Sequence, residues 1–202
     1  MRSQQKADRR LQILAAASQL FAEHGFRSIS IEDLGAAVGV SGPAIYRHFP
    51  GKEAILAELL VGVSQRLLDG GTIEATHPGS PGEALRRLIR FHTDFALRDR
   101  NLIRIQDRDL TQLSRDDQHL VRRLQRSYVD VWVASLVNFD PTLSPSAART
   151  KVHAAFGLLN STPYSAAERD GEMTRTILEQ MTIMALMGTS QYEIPVERTG
   201  MY

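Results

Sequence analysis

The 202-residue chain contains no cysteine, which excludes disulfide staples, thiolate metal sites and a cysteine nucleophile together. Long apolar runs are missing too. The N-terminal segment MRSQQKADRRLQIL carries positive charge but no hydrophobic stretch long enough for a secretory signal, and nothing further along approaches a membrane span. Both readings predict a cytoplasmic protein with no membrane partner. Charge of one sign is scarce: 24 Lys and Arg stand against 23 Asp and Glu, and a net charge of +1 makes no case for a polyanionic partner from bulk electrostatics. There is no glycine-rich phosphate loop, no His-Glu-x-x-His and no Gly-x-Ser-x-Gly. The six histidines are scattered, and His92 and Asp94, two apart on a predicted helix, fall on different faces. Catalytic residues, a metal site and a cofactor are therefore not expected.

What is present is helical periodicity. Hydrophobic residues make up 43% of the chain, enough at this length for a sizeable core, and no alternating run or Asn-Gly hairpin supports a sheet. The predicted fold class is all-α, with a three-helix head at residues 1–51 and a helical-bundle body at 52–202. In the head, Leu11, Leu14, Ser18 and Phe21 give a broad apolar stripe over Lys6 to His24 that stops at Gly25. Lys52 to Leu68 reads as a bridging helix. Gly70-Gly71 and His77 to Gly82 read as linker. Further helices are predicted over Glu83–Leu97, Asn101–Leu113, Asp116–Val137, Pro145–Leu159 and Glu172–Met187, with a loose tail from Thr189.

Within the head, two short helix patterns flank the turn Val38-Gly39-Val40-Ser41. That spacing is a helix-turn-helix. Ser30 can cap the first helix, with Asp33 favoured near its N-terminus, and Ile31, Leu34 and Val38 share one face. Gly39 supplies the positive φ that a sharp stop demands, and Ser41 caps the second helix with Pro43 tolerated in its first turn. At Gly35 only a small residue fits where the two helices cross. Through Glu53 there are seven Lys/Arg against five acids, a mild excess.

Gly25-Phe26-Arg27, Ile29 to Leu34, Ala37-Val38-Gly39-Val40-Ser41, Ile45-Tyr46-Arg47-His48-Phe49 and Lys52-Glu53 together resemble the TetR/AcrR family of bacterial transcriptional regulators. The resemblance covers about the first quarter of the chain. It implies a helical body that forms a homodimer and holds a small-molecule pocket. It also implies a ligand-responsive regulator, foremost a repressor, released from a pseudo-palindromic double-stranded DNA operator by its effector. The alternatives are a constitutive DNA-binding protein without an effector, and an enzyme. This chain has Pro43-Ala44-Ile45 where the family often has Gly-Thr-Leu or Ala-Ser-Leu, so base preference does not carry over.

The residues predicted to meet DNA are Ser30, Ser41, Gly42, Pro43, Ala44, Tyr46, Arg47, His48 and Lys52. Small residues open the recognition helix, aromatic and basic tips end it, and Lys52 starts the next helix, where free N–H groups favour phosphate. Phe49 reads as a plug of the head's core. In the body, eight arginines lie between Arg98 and Arg126 among five aspartates, and Arg122 and Arg126 share a helix face. Arginine can grip phosphate or carboxylate bidentately, and the phrasing around Ile105-Gln106-Asp107 and Gln125 to Trp132 is loosely similar to family members that answer to acyl-coenzyme A thioesters. The candidate pocket residues are Phe91, Phe95, Gln106, Arg122, Arg126, Tyr128, Trp132 and Phe156, set against core packing as the first reading of each aromatic and a solvated, ion-paired surface as the first reading of the arginines. For the dimer interface the candidates are Val152, Phe156, Met173, Ile177, Met181 and Met184, methionine suiting a face that packs on a partner.

Overall fold

A computed structural model describes residues 2–165 and 171–188, and no strand occurs among them. The predicted tail from Thr189 lies outside these residues. Helix α1 (Arg2–His24) begins a turn before the predicted start and stops at Gly25, whose φ of 88° no other residue type adopts cheaply. After a 3-10 turn at Phe26–Ser28 come α2 (Ile31–Ala37) and α3 (Gly42–Ile45). α2 opens on a reciprocal cap: the Asp33 N–H donates to the Ser30 hydroxyl at 3.1 Å, and the Ser30 N–H donates to the Asp33 carboxylate at 2.9 Å. Phe21, Leu34, Ile45 and Phe49 fill the head, each 1% exposed or less.

Helix α4 (Lys52–Thr76) corrects the predicted linker, because it runs straight through Gly70 and Gly71. The glycines serve close packing instead of a break. A Cβ on Gly71 would lie 2.3 Å from Tyr128 Cε2, and one on Gly70 2.3 Å from Phe91 Cζ. Rings from two other helices thus rest on the α4 backbone. Gly71→Ala should cost about 1–3 kcal/mol through overpacking, since Gly71 and Tyr128 are both buried. Gly70→Ala should be near neutral, because half-exposed Phe91 can swing aside and the helix gains about 1 kcal/mol of propensity. Urea midpoints at unchanged m-value separate the two, and equal losses would contradict this account.

The body follows as α5 (Pro81–Arg98), α6 (Arg100–Asp109), a 3-10 turn at Leu110–Gln112, α7 (Arg115–Phe139), α8 (Pro145–Leu159), α9 (Thr162–Ser165) and α10 (Gly171–Met187). The short α9 has no counterpart in the periodicity. Ser80, Ser114 and Ser144 cap α5, α7 and α8. α4 packs along α7 and α5, and α10 lies across α5 and α8. The head's apolar cluster continues past residue 52 through Ile55, Leu56 and Leu60 and takes in Leu102, Ile105, Leu113 and Val121. A second cluster around Leu88, Ile89, Trp132, Val152 and Leu159 fills the rest of the body.

One side chain ties α6 to the head. The Arg108 guanidinium donates to the Phe21 carbonyl and, at 3.3 Å, to the Ala22 carbonyl, while its Nη2 sits 2.9 Å from the carboxylate of buried Asp109. These carbonyls lie in the last turn of α1, and that of Phe21 accepts the Gly25 N–H at 2.9 Å as well as the guanidinium.

Candidate nucleic-acid interface and body cavity

The outward face of the head is small and specific. Ser41, Pro43, Tyr46 and Arg47 are exposed, Tyr46 to 57%, and Ala44 is half-buried. Tyr46 and Arg47 stand on a turn that prolongs α3, with the Arg47 N–H donating to the Ala44 carbonyl at 3.3 Å and the His48 N–H to the Ile45 carbonyl at 2.8 Å. Ser41 occupies the N-cap position, yet its side chain makes no cap bond, contrary to expectation. The Ser30 hydroxyl is exposed but engaged with Asp33.

Three of the predicted DNA contacts have other partners within the head. Gly42 is buried, and a Cβ there would meet the Glu32 carboxylate at 3.1 Å, so the residue serves the approach of α2 to α3. Lys52 turns inward: its ammonium donates to the carbonyls of Phe26 at 3.1 Å and Ile29 at 3.0 Å and lies 4.6 Å from the Phe26 ring centre. It fastens the 3-10 turn to α4. His48 is half-buried and borders a groove with Lys6 and Arg9 of α1. Burial, then the charges of Lys6, Arg10, Arg9 and Arg47, hold its imidazole below the usual histidine range, so it brings no positive charge at neutral pH. Other cations are also used internally. Arg10 pairs with Glu58 and lies 4.0 Å over the Phe49 ring, and Arg9 donates to the Val38 carbonyl at 2.8 Å. Lys6 and Arg47 are exposed basic side chains, and both lie close enough to His48 to act on its imidazole.

In the body a cavity of about 190 Å³ opens between α4, α5, α6, α7 and α8. Of the candidate pocket residues, Phe95, Gln106, Tyr128 and Phe156 line it. Phe91 and Trp132 do not. Phe91 lies over Gly70 and borders a separate groove with Arg98 and Asp99, while Trp132 is fully buried behind the wall, 5.0 Å from the Phe156 ring. Arg122 and Arg126 line an adjoining surface groove of about 200 Å³ with Arg149. Gln125, Val129 and His153 belong to both walls, so the groove abuts the cavity. Among the described residues Arg149 is paired with Asp130, and no acid pairs with Arg122 or Arg126.

Sequence reasoning missed His92, Ser64 and Asn160 in the cavity wall. His92 is 2% exposed, with Nδ1 3.2 Å from the Tyr128 hydroxyl and Nε2 3.1 Å from Asn160 Oδ1. Its place at the core register of α5, between Ile89 and Ala96, was the available signal. Burial lowers its pKa to about 4 and pushes the Tyr128 hydroxyl up. A histidine depressed in the folded state leaves the unfolded chain binding more protons between pH 4 and 6.5, so stability falls on acidification through that window. The loss should reach roughly 3 kcal/mol by pH 4. His92→Gln should flatten the urea midpoint across this range, and parallel curves for the two proteins would assign the acid loss elsewhere.

The fourth feature is a stripe on α10. Leu178, Thr182 and Leu186 face inward, and Arg175 pins the helix to Asp94 of α5. On the other face Met173, Ile177, Met181 and Met184 are 47–74% exposed. Val152 and Phe156, expected beside them, are elsewhere: Val152 is fully buried in the body's core and Phe156 stacks on His92.

These elements define a helix-turn-helix protein with a helical companion bundle. Residues 13–59 match bacterial regulatory proteins of the tetR family, and residues 78–188 match the Tetracyclin repressor-like C-terminal domain. The chain belongs to the TetR family. It is 39% identical over 84 residues to the HTH-type transcriptional regulator EthR of Mycolicibacterium smegmatis, a match covering 41% of this chain and 38% of that one. The chain thus spans about two fifths of that relative's length. A TetR-family regulator from Bordetella parapertussis superposes with a TM-score of 0.81 at 20% identity over 91% of this chain and 97% of that one. The regulator FadR of Bacillus subtilis, solved in complex with stearoyl-CoA, gives 0.67 at 20% identity over 88% and 98%.

Proposed function

We propose that the chain is a homodimeric transcriptional repressor that grips a pseudo-palindromic operator through two copies of α3 and lets go when an amphipathic anion, such as an acyl-coenzyme A thioester, enters the body. The observation that carries the effector reading is the contiguity of an apolar cavity with a groove holding Arg122 and Arg126. An acyl chain suits the first and phosphate the second. The acyl-coenzyme A complex of the FadR neighbour supports the same class. For DNA, the support is the exposed Pro43, Tyr46 and Arg47 at one end of a helix too short to specify a site alone, which calls for two half-sites. The exposed α10 stripe supplies the two-fold contact.

Ligand and DNA communicate through shared helices. α4 starts beside the recognition turn and presents Ser64 and Leu67 to the cavity, while α6 presents Ile103 and Gln106 and holds α1 through Arg108. Widening the cavity shifts both helices and the spacing of the two recognition elements. A 100-fold loss of operator affinity corresponds to a coupling free energy of roughly 2.7 kcal/mol. The test is titration of acyl-coenzyme A esters, free acids and neutral hydrophobes against the protein–DNA complex, repeated with Arg122→Ala and Arg126→Ala. Release by neutral compounds alone, or arginine variants that respond like wild type, would overturn the anionic class.

The same assay separates two kinds of head cation. With Lys6 and Arg47 of each protomer neutralising phosphate, the log-log salt slope should be roughly −4, and Arg47→Ala should make it shallower by about 2. Lys52→Ala should weaken binding by loosening the 3-10 turn, lowering the melting temperature at an unchanged slope. A slope that moves with Lys52 would return that ammonium to the phosphates.

A further inference from the structure

We infer that the hydrogen-bonded chain Tyr128–His92–Asn160 reads a carbonyl oxygen on an uncharged part of the effector and turns away a free carboxylate. This rests on the effector reading above and adds what the cavity selects within it. A neutral imidazole has one donor and one acceptor. With Nε2–H donating to Asn160 Oδ1, Nδ1 accepts from the Tyr128 hydroxyl, and the chain runs in one sense to its end at the Asn160 amide nitrogen. That nitrogen makes no hydrogen bond among the described residues. If the amide is turned over, the chain reverses and the Tyr128 hydroxyl becomes the unanswered donor. Either sense leaves a neutral donor at the cavity wall, since Tyr128, His92 and Asn160 all line it.

The imidazole belongs to a three-ring cluster, 4.8 Å from Phe156 at 14° and 5.8 Å from Tyr128 at 19°, with those two rings 5.5 Å from each other. A ring flip would keep the stacking but put carbons where both nitrogens now bond, so the two hydrogen bonds fix which edge faces Tyr128 and which faces Asn160. The cavity wall contains no Lys, Arg, Asp or Glu; its other polar groups include Ser64, whose hydroxyl donates to the Leu60 carbonyl at 2.7 Å, and the amides of Gln106 and Gln125. A carboxylate entering here meets no Lys or Arg to offset its desolvation, only the imidazole of His153 shared with the arginine groove, whereas a thioester, ester or ketone oxygen answers the waiting donor. The acyl chain then lies against Phe95, Ile103 and Val129, its carbonyl at Asn160, and the anionic remainder passes Gln125 to Arg122 and Arg126.

The test compares matched probes by calorimetry on the full-length protein. Decanoyl-coenzyme A is paired with S-decyl-coenzyme A, which lacks the carbonyl, and methyl decanoate with decyl methyl ether; decanoate is the charged control. In wild type the carbonyl member of each pair should bind about tenfold more tightly, the net worth of one hydrogen bond, and decanoate should bind worst of the three probes without coenzyme A. Asn160→Leu should level both pairs where the free donor is its amide, and Tyr128→Phe where it is the phenol; ratios kept by both variants overturn the inference. The wild-type ratios stand even if either variant folds poorly. Equal binding within pairs, or decanoate matching its methyl ester, overturns the inference while leaving the coenzyme A reading intact. A carbonyl preference in the ester pair with no binding of either coenzyme A compound supports the inference and overturns that reading. Failure of every probe to bind overturns both.

Discussion

In the Gly35→Val variant, operator affinity falls by more than ~100-fold, equivalent to more than about 2.7 kcal/mol, while the body keeps its fold. A Cβ at Gly35 would lie 2.8 Å from the Val40 carbonyl oxygen, 3.0 Å from the Gly42 nitrogen and 3.1 Å from the Ser41 carbonyl carbon. All three are backbone atoms, so no rotamer change relieves the contact. The turn is also held at that point, because the Val40 N–H donates to the Gly35 carbonyl at 2.9 Å. The only relief is to lever α3 away from α2, which re-aims Pro43, Tyr46 and Arg47 in both protomers at once. Gly39 gives the contrast. Its φ is 69° with nothing within 4 Å of a Cβ, so Gly39→Ala meets backbone strain alone, about 1–2 kcal/mol, and Gly39→Asn less. Anisotropy with a labelled operator and thermal melts read both. Near-wild-type binding by Gly35→Val would show that α3 is not the element in the groove.

The division between legible and illegible features follows the distance in sequence over which each is decided. Local rules govern the Ser30 cap, the stop at Gly25 and the tight Gly35 crossing, so each stands in the structure where the pattern put it. Phe49, read as a plug of the head's core, is buried there. Gly70-Gly71 misled because a glycine pair reads as a break unless one knows that Phe91 and Tyr128 arrive on that surface from helices 21 and 57 positions away in sequence. Lys52 was read by its place at a helix start, but its partners, Phe26 and Ile29, are set by how the 3-10 turn folds back over α4. His92 looked isolated because Asn160 lies 68 residues on. Arg122 and Arg126 could be paired with each other by helical spacing, yet their adjacency to the cavity depends on where α8 places His153.

The largest loss after Gly35→Val should come from charging the α10 stripe: Ile177→Glu with Met181→Glu should leave a folded monomer of half the native mass by light scattering. Neither side chain supports the protomer's interior, since Ile177 is 47% and Met181 49% exposed while Leu178, Thr182 and Leu186 carry the packing on α5 and α8. In a two-fold interface each substitution acts twice, so the pair places four carboxylates where four apolar side chains would be shielded. Losing that burial costs about 1.5–3 kcal/mol per side chain, before the desolvation of the charges is counted. Association should therefore weaken by a factor on the order of a thousand or more. A monomer presents one α3 to one half-site, and with it goes the spacing that selects a palindrome, so operator binding should drop toward the level of random DNA at matched salt. The melting temperature of the isolated protomer and its binding of decanoyl-coenzyme A report whether the fold survives. Should the double variant remain a dimer with full operator affinity, the α10 stripe is not the two-fold contact, and the exposed methionines face something other than a second copy of this chain.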